Sequence, residues 1–151
     1  MKIRPARPDE ATALSALCLR SKAHWGYDEA FMSRARRTLM VSPEQIKSGD
    51  VWVAETDWKL AGMVALAKLD DPELVDLDKL FVEPAHIRSG AGRALMAFAI
   101  EEARRRGYPR MAILADPNAA KFYEKLGAIY VGERASDAIP ERLLPYFELT
   151  L

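Results

Sequence analysis

Residues 75–95 read VDLDKLFVEPAHIRSGAGRAL, and this stretch decides the fold. Residues 75–82 are rich in apolar side chains, which predicts a β-strand. After a seven-residue connection, 83–89, Gly90 and Gly92 open a helical pattern that ends at Gly107. Glycines at the start of a helix let backbone N–H groups approach an anion, and the helix dipole favours negative charge there. The stretch therefore predicts a phosphate site, although an ordinary turn into a helix fits these residues equally well.

Two other phosphate motifs fit the stretch poorly. A P-loop requires G-x-x-x-x-G-K-[ST], and the chain has no such match. A dinucleotide-binding loop places its glycines close after the strand and ends on a third small residue, whereas this chain has seven intervening residues and Leu95. Asp116 does follow the next predicted strand, where a ribose-binding acid would lie. One β-α-β crossover, however, leaves no room for a second nucleotide-binding half.

The composition bounds the class of protein. A chain of 151 residues, 50% hydrophobic and 29% charged, predicts one globular domain spanning residues 1–151. The 22 basic and 22 acidic residues cancel, which argues against a general nucleic-acid binder or a binder of anionic membranes. The single Cys18 excludes an internal disulfide and a cysteine metal cluster, and no metal is expected. No apolar run is long enough to span a membrane, and the N-terminus lacks a signal-peptide core, so we expect a cytoplasmic protein.

Periodicity and cap residues predict the remaining elements. The first helix is predicted over residues 8–22, and Asp28 and Ser42 are predicted N-caps of the next two helices. Residues 57–59 are the predicted turn of a hairpin, and Asp116 begins the last helix. The main order is β-α-α-β-β-β-α-β-α-β-β, with one additional short helix before the second strand. This order predicts a mixed α/β layer built on an antiparallel meander and one β-α-β crossover.

Two motifs together indicate a family. The stretch LFVEPAHIRSGAGRALMAFAIEEARRRG, residues 80–107, resembles the acetyl-CoA-binding core of the GNAT superfamily of N-acetyltransferases. A second stretch, DPNAAKFYEKLGA at 116–128, resembles that family's N-x-x-A-x-x-[F/L]-Y-x-x-x-G-[F/A] signature. The resemblance implies a single mixed, mostly antiparallel sheet with helices on both faces. It also implies transfer of an acetyl group from acetyl-CoA to a primary amine, by direct attack in a ternary complex.

The resemblance implies a set of residues that bind the co-substrate. The end of the strand 75–82 would face the thioester and the pantetheine arm, and the amides of 88–93 would hold the pyrophosphate. Ile87 occupies the position where the family has Gln or Arg, and Arg88 lies one place later. We therefore expect the backbone amides, rather than the Arg88 side chain, to bind the pyrophosphate. Asp116 replaces the Asn that begins the second signature, and serves better as a helix cap. The implied residues are Leu80, Phe81, Val82, Arg88, Ser89, Gly90, Ala91, Gly92, Arg93, Asn118 and Tyr123.

Two residues are candidates for proton transfer. Tyr123 matches the family tyrosine that protonates the departing sulfur, and its alternative is a ring packed in the apolar stripe of the last helix. Asp76 lies where some family members carry a basic Glu, and strict alternation would place it on one face with Asp78, Leu80 and Val82. An ordinary strand-edge carboxylate fits Asp76 as well. Competing candidates for the base are Asp78, Glu55, Glu83 and His24.

The resemblance also predicts where the acceptor binds. In the family, the region between the first two helices shapes the acceptor pocket, which implicates His24, Trp25 and Tyr27 in substrate binding. A corner between two helices, stapled by the two aromatic rings, is the structural alternative. The acceptor is expected to be a small-molecule or peptide amine, and a homodimer is left open because apolar residues of the last strands suit a core or an interface. The alternative functions are a catalytically idle acyl-CoA-binding or sensor domain and, less favoured, a nucleotide-binding module.

Overall fold

The computed structural model describes residues 1–151, whose strands all join one sheet. The strands are β1 (Lys2–Pro5), β2 (Val51–Thr56), β3 (Lys59–Lys68), β4 (Leu74–Val82), β5 (Arg110–Leu114), β6 (Ile129–Ala135) and β7 (Leu143–Thr150). The helices are α1 (Ala11–Ala23), α2 (Glu29–Leu39), α3 (Pro43–Lys47), α4 (Ala91–Arg105) and α5 (Ala120–Lys125). The sheet order is β1-β2-β3-β4-β5-β7-β6, and only the β4–β5 pair is parallel. The predicted mixed, mostly antiparallel sheet is confirmed.

The predicted helix caps are formed by the residues that the sequence indicated. The Asp28 carboxylate accepts a hydrogen bond from the Phe31 amide at 2.8 Å, and α2 begins at the next residue. The Ser42 hydroxyl accepts one from the Gln45 amide at 3.1 Å, which starts α3. Each of these bonds satisfies a backbone donor that the first turn of a helix leaves without a partner. The first helix begins later than predicted, at Ala11, because residues 8–10 form a 3₁₀ turn.

The sheet carries a separate apolar core on each face. One core packs α4 and α5 against the sheet, with Leu95 and Met96 fully buried. The other core packs α1, α2 and α3 against the opposite face, with Leu14 and Leu17 at its centre. Each buried leucine or methionine side chain contributes roughly 1.5–3 kcal/mol to stability. The predicted arrangement, with helices on both faces, is confirmed, and no helix combines the length and the apolarity needed to cross a lipid bilayer.

The parallel pair β4–β5 opens into a gap. The two strands pair only where residues 74–76 of β4 lie beside residues 110–112 of β5. Beyond Asp76, β4 continues to Val82 with no neighbouring strand on the side that faces β5. The opposite edge of β5 pairs with β7. Backbone N–H and C=O groups that leave a sheet ladder must find other partners. The gap is therefore a place where the sheet can accept a ligand.

A β-bulge in β4 overturns the predicted arrangement of its side chains. Leu77 pairs with Leu66 of β3, but Lys79 pairs with Ala65, so Asp78 has no partner opposite it. An extra residue in one strand shifts the alternation of side chains by one place. Leu80 and Val82 consequently pack on the α4 face. The residues before and after Asp76 also pack on that face, so the Asp76 side chain points to the opposite face of the sheet. The prediction that Asp76, Asp78, Leu80 and Val82 share one face is wrong for this reason.

Candidate active site

The gap between β4 and β5 opens into a cavity of about 680 Å³ on the α4 face of the sheet. We call it the α4 cleft. Its walls are the end of β4, the loop and first turn of α4, the end of β5, and α5. Every residue that the sequence implicated in co-substrate binding lines this cleft except Ser89. The lining residues from that set are Leu80, Phe81, Val82, Arg88, Gly90, Ala91, Gly92, Arg93, Asn118 and Tyr123.

The start of α4 presents free backbone donors to the α4 cleft. Gly90 has a φ of 89°, in the left-handed region that glycine adopts at little cost, and it begins the helix. The amides of Gly90, Gly92 and Arg93 donate to no acceptor in the chain. Ser89 does not line the cleft, and its hydroxyl oxygen accepts the Ala91 amide at 3.3 Å. Unpaired N–H groups at the positive end of a 15-residue helix are suited to bind an anion.

Gly92 and Arg88 contribute to this loop in different ways. A Cβ atom at Gly92 would meet only the Val82 side chain, at 3.4 Å, so the fold itself accommodates a Cβ atom there. Arg88 has a φ of 71°, which is uncommon for a residue with a side chain. Non-glycine residues in this region cost of the order of 1–3 kcal/mol and cluster at functional sites. The loop is thus held in a conformation that the local sequence does not favour.

Tyr123 is packed among aromatic rings and also lines the α4 cleft. Its ring packs edge-on against Phe122, with centroids 5.2 Å apart, and lies 6.5 Å from the ring of Phe147. Only 7% of the residue is exposed, yet it lines the α4 cleft, and its hydroxyl makes no hydrogen bond to another side chain. Burial, and then the negative charge of Asp116, raise the pKa of Tyr123 well above its usual value. The hydroxyl is therefore fully protonated at neutral pH and available as a donor.

A second cavity, of about 750 Å³, lies on the opposite face of the sheet, and we call it the α2 cavity. Its walls are α2, the sheet around β5 and β7, and the loop 136–142. The α4 cleft and the α2 cavity share lining residues at the gap, so the two meet through the sheet. The shared residues are Lys22, Leu77, Asp78, Lys79, Phe81, Leu114 and Leu144. The predicted base Asp76 lines the α2 cavity alone.

The environment of Asp76 changes its acidity. Burial is the main cause that raises the pKa of Asp76 to about 6, and the charges of Asp78 and Asp137 add to it. The positive charge of Lys79 opposes this shift but does not cancel it. Lys79 is itself buried and lies 3.0 Å from the Asp78 carboxylate, which also accepts the Gln45 amide group at 3.0 Å. Asp76 is therefore ionised at neutral pH and remains a proton acceptor of useful strength.

Two competing candidates for the base are engaged elsewhere. Glu55 pairs with Arg4 at 2.9 Å, and Glu83 pairs with Arg20 at 2.7 Å. Neither carboxylate lines the α4 cleft or the α2 cavity. Both carboxylates are engaged in ion pairs away from the cavities, which leaves Asp76, Asp78 and His24 as the candidates that line them.

A polar network ties three loops together beside the gap. The Asp116 carboxylate lies 2.5 Å from the Lys22 ammonium group and accepts the Tyr27 hydroxyl at 2.9 Å and the Asn118 amide at 2.8 Å. Arg142 donates to the Tyr27 hydroxyl oxygen at 2.7 Å. Burial would raise the pKa of Asp116, but its bond to Lys22, the charge of Lys22 and the other donors outweigh burial and lower it. Asp116 caps the 3₁₀ turn 117–119 that leads into α5, rather than α5 itself as predicted, and it also anchors this network.

The predicted acceptor residues separate in the structure. His24 and Trp25 line the α4 cleft, and Trp25 is 49% exposed. Tyr27 lines neither cavity, because its hydroxyl is held within the Asp116 network. Its ring stacks on Phe31, with centroids 4.0 Å apart. The expected alternative, a corner stapled by Trp25 and Tyr27, is therefore not formed; Tyr27 packs with Phe31 instead, and Arg142 lies over this pair of rings.

Comparison with known proteins identifies the family. The sequence model of the Acetyltransferase (GNAT) family matches residues 19–128, which include both motifs and the gap between β4 and β5. The chain belongs to the acetyltransferase (GNAT) family. The predicted family is confirmed by this match. Human N-acetyltransferase 8 is 33% identical to this GNAT chain over 89 residues, which cover 54% of the chain and 39% of the human protein. The chain therefore spans about two fifths of the length of that relative.

Solved structures of GNAT proteins share this fold. The PaiA N-acetyltransferase of Thermoplasma acidophilum, solved with coenzyme A, superposes with a TM-score of 0.79 at 17% identity. The match covers 99% of this GNAT chain and 98% of that chain. YncA of Salmonella typhimurium, solved with acetyl-CoA, gives a TM-score of 0.72 at 23% identity, covering 100% of this chain and 94% of that chain. At identities this low, the superpositions establish the fold alone, and this fold agrees with the predicted GNAT-like architecture.

Several cavity residues of this GNAT chain could not be found in the sequence. Lys79 follows the bulge and is turned into the protein, so its position depends on a shift in register that no motif marks. Lys22 looks like an exposed residue at the end of α1, but it lies between both cavities. Its partner, Asp116, is 94 positions away. The only sequence signal for this contact was that Asp116 stands where the family signature has Asn.

Replacing Asp76 with Asn should stabilise the protein at neutral pH. The raised pKa means that ionised Asp76 costs stability, and this cost appears as pH rises from about 4 to about 6. At pH 7.5, Asp76→Asn should raise the free energy of unfolding by about 1–2 kcal/mol, and at pH 4 it should change little. Thermal melts at the two pH values would measure this, with the exposed Asp70→Asn as the control. An equal effect at both pH values would contradict the assignment.

Proposed function

We propose that residues 1–151 form one N-acetyltransferase domain that transfers an acetyl group from acetyl-CoA to a primary amine. The observation that carries this proposal is the meeting of the α4 cleft and the α2 cavity at the gap between β4 and β5. Two reactants that enter from opposite faces of a sheet can meet there in one ternary complex, which supports direct attack without an enzyme-bound acyl group. The acceptor is proposed to be a small-molecule or peptide amine.

The α4 cleft suits the co-substrate, which supplies an activated acetyl thioester. The free amides at Gly90, Gly92 and Arg93 would hold the pyrophosphate, and Arg88 would add positive charge at the mouth. The backbone of Leu80–Val82 has no strand partner on the gap side and would bond the amides of the pantetheine arm as a neighbouring strand would. Asn118 lines the same cleft, and the family signature implies that it would contact the nucleotide end of the co-substrate.

Proton transfer is assigned to the two predicted residues on either side of the gap. An alkyl amine has a pKa near ~10.4, so at pH 7 most of the acceptor is protonated and must lose a proton before it attacks. Asp76 lies on the α2 cavity and would accept that proton, directly or through water. Tyr123 lies on the α4 cleft and would protonate the departing sulfur. A cytoplasmic location, the absence of a metal and of nucleic-acid or membrane partners, and a homodimer stay predictions.

The co-substrate loop can be tested by comparing Gly92→Leu with Arg88→Ala. A leucine at residue 92 would project from the α4 start into the cleft, so acetyl-CoA affinity should fall by more than about tenfold. Arg88→Ala removes an exposed charge and should weaken binding by only a few-fold. Isothermal titration with acetyl-CoA would measure both, and melting curves would verify folding. Comparable losses in the two variants would contradict the emphasis on the backbone.

Tyr123→Phe distinguishes an enzyme from an idle acyl-CoA-binding domain. The variant retains the buried ring and loses only the proton donor, so kcat should fall by about 10²–10⁴-fold while the Kd for acetyl-CoA stays the same. Amine-dependent release of the CoA thiol would be measured beside binding, with Tyr130→Phe on the exposed edge strand as the control. Unchanged turnover would remove Tyr123 from the mechanism. Binding without thiol release from any amine would favour the idle domain.

The pH dependence of the reaction tests Asp76. Because burial raises its pKa to about 6, log(kcat/KM) should gain one extra unit of slope as pH falls below about 6. Asp76→Asn should lower kcat/KM and abolish this limb. Asp78→Asn should retain the limb but move it to lower pH, because the Asp78 charge helps to raise the pKa of Asp76. A limb that survives in Asp76→Asn would assign it to another group.

A further inference from the structure

The arginines of this chain divide sharply by location. Eight of the 14 form ion pairs with carboxylates. Of the six that form none, all but Arg36 line one of the two cavities. Arg88 and Arg93 line the α4 cleft, whereas Arg37, Arg134 and Arg142 line the α2 cavity. Guanidinium groups that line a cavity without a carboxylate partner are available to bind an anionic ligand.

Arg142 is held in place without a carboxylate. Its guanidinium lies over the rings of Phe31 and Tyr27, 4.8 Å and 5.1 Å from their centroids. One of its terminal nitrogens donates to the Tyr27 hydroxyl oxygen at 2.7 Å. The stacked rings fix the plane of the group, and the remaining N–H donors stay free to bond a ligand. A fixed planar fork of this kind matches the geometry of a carboxylate.

Arg134 repeats this arrangement on the other side of the same loop. Its guanidinium lies 4.7 Å from the centroid of the Tyr146 ring, and its only hydrogen bond is to the adjacent backbone oxygen of Glu133, at 3.3 Å. Arg134 and Arg142 flank the segment 135–141, which forms one wall of the α2 cavity. This wall therefore presents two oriented cations to the cavity.

The α2 cavity also contains carboxylates that have no ion-pair partner. Asp76 and Asp137 form no ion pair, while Asp78 is already paired with Lys79. The cavity thus offers unpaired carboxylates where the proposed reaction needs the amine, and unpaired guanidinium groups elsewhere on its walls. A ligand that carries one positive and one negative group complements both. A polyamine would neutralise the carboxylates but would place further positive charge beside three free arginines.

We infer that the acceptor is an amino acid, whose amine faces Asp76 and whose carboxylate is bound by Arg142, with support from Arg134. This inference rests on the proposed N-acetyltransferase function and names the substrate class of that site. It assigns to the segment 134–142 the role of selecting the substrate. It also explains why Tyr27 is held inside a network: the tyrosine positions the arginine that binds the acceptor.

The test compares amines that differ only in their carboxylate. Thiol release would be followed with L-amino acids against their carboxamides, with 4-aminobutanoate against 1-aminobutane, and with 1,4-diaminobutane. The values of kcat/KM would be corrected for the fraction of neutral amine. The carboxylate should raise kcat/KM by about tenfold or more. A preference for carboxamides or diamines would overturn the inference and leave the proposed function standing, whereas no thiol release with any amine would instead defeat the proposed function.

Substitutions of single arginines test which residue binds the carboxylate of the acceptor. Arg142→Gln should raise KM for amino acids by about tenfold or more and leave kcat/KM for carboxamides nearly unchanged, so that the preference disappears. Arg142→Lys should recover only part of the loss, because an ammonium group lacks the planar fork. Arg134→Gln, at an exposed residue, gives a smaller loss of the same kind and serves if Arg142→Gln does not fold. Arg36→Gln, next to Arg37 but outside both cavities, is the control. Equal losses on acids and amides would overturn the assignment.

Discussion

The parting of β4 from β5 is the constraint on which the rest of the structure depends. The strands share three paired positions, and after Asp76 the sheet has no ladder at its centre. Such a gap leaves backbone groups without partners inside a folded protein, which is unfavourable unless water or a ligand supplies them. The same gap joins the α4 cleft to the α2 cavity. The local defect in the sheet is therefore the means by which two reactants can meet.

The walls of the gap are held by charged groups with low exposure. Lys22 and Asp116 have side chains 14% and 11% exposed, and they join the end of α1 to the start of the last helix. Losing one partner of such a pair is more costly than losing a surface ion pair, because the remaining charge stays poorly solvated. The network extends through Tyr27 to Arg142, so the β6–β7 loop is fixed relative to both. Rigid walls suit a site that must align two substrates.

Stability and the proposed chemistry oppose each other at Asp76. A partly buried carboxylate with no ion pair, near Asp78 and Asp137, lowers the stability of the fold at neutral pH. The same surroundings bring its pKa close to the range in which a carboxylate can serve as a base. Arg88, in the left-handed region beside the α4 cleft, is a second unfavourable local feature. Both features lie at the cavities, where functional requirements most often outweigh local stability.

The sequence by itself determined the order of the elements, the caps at Asp28 and Ser42, the two family motifs and the glycines that open α4, because each depends on residues a few positions apart. It did not reveal the bulge at Asp78, which reversed the faces of β4, since alternation assumes an uninterrupted strand. Nor did it reveal that Lys22, Asp116 and Arg142 act together. Lys22 and Asp116 are 94 positions apart and Tyr27 and Arg142 are 115 apart, so only the packing of the tertiary structure brings them into contact.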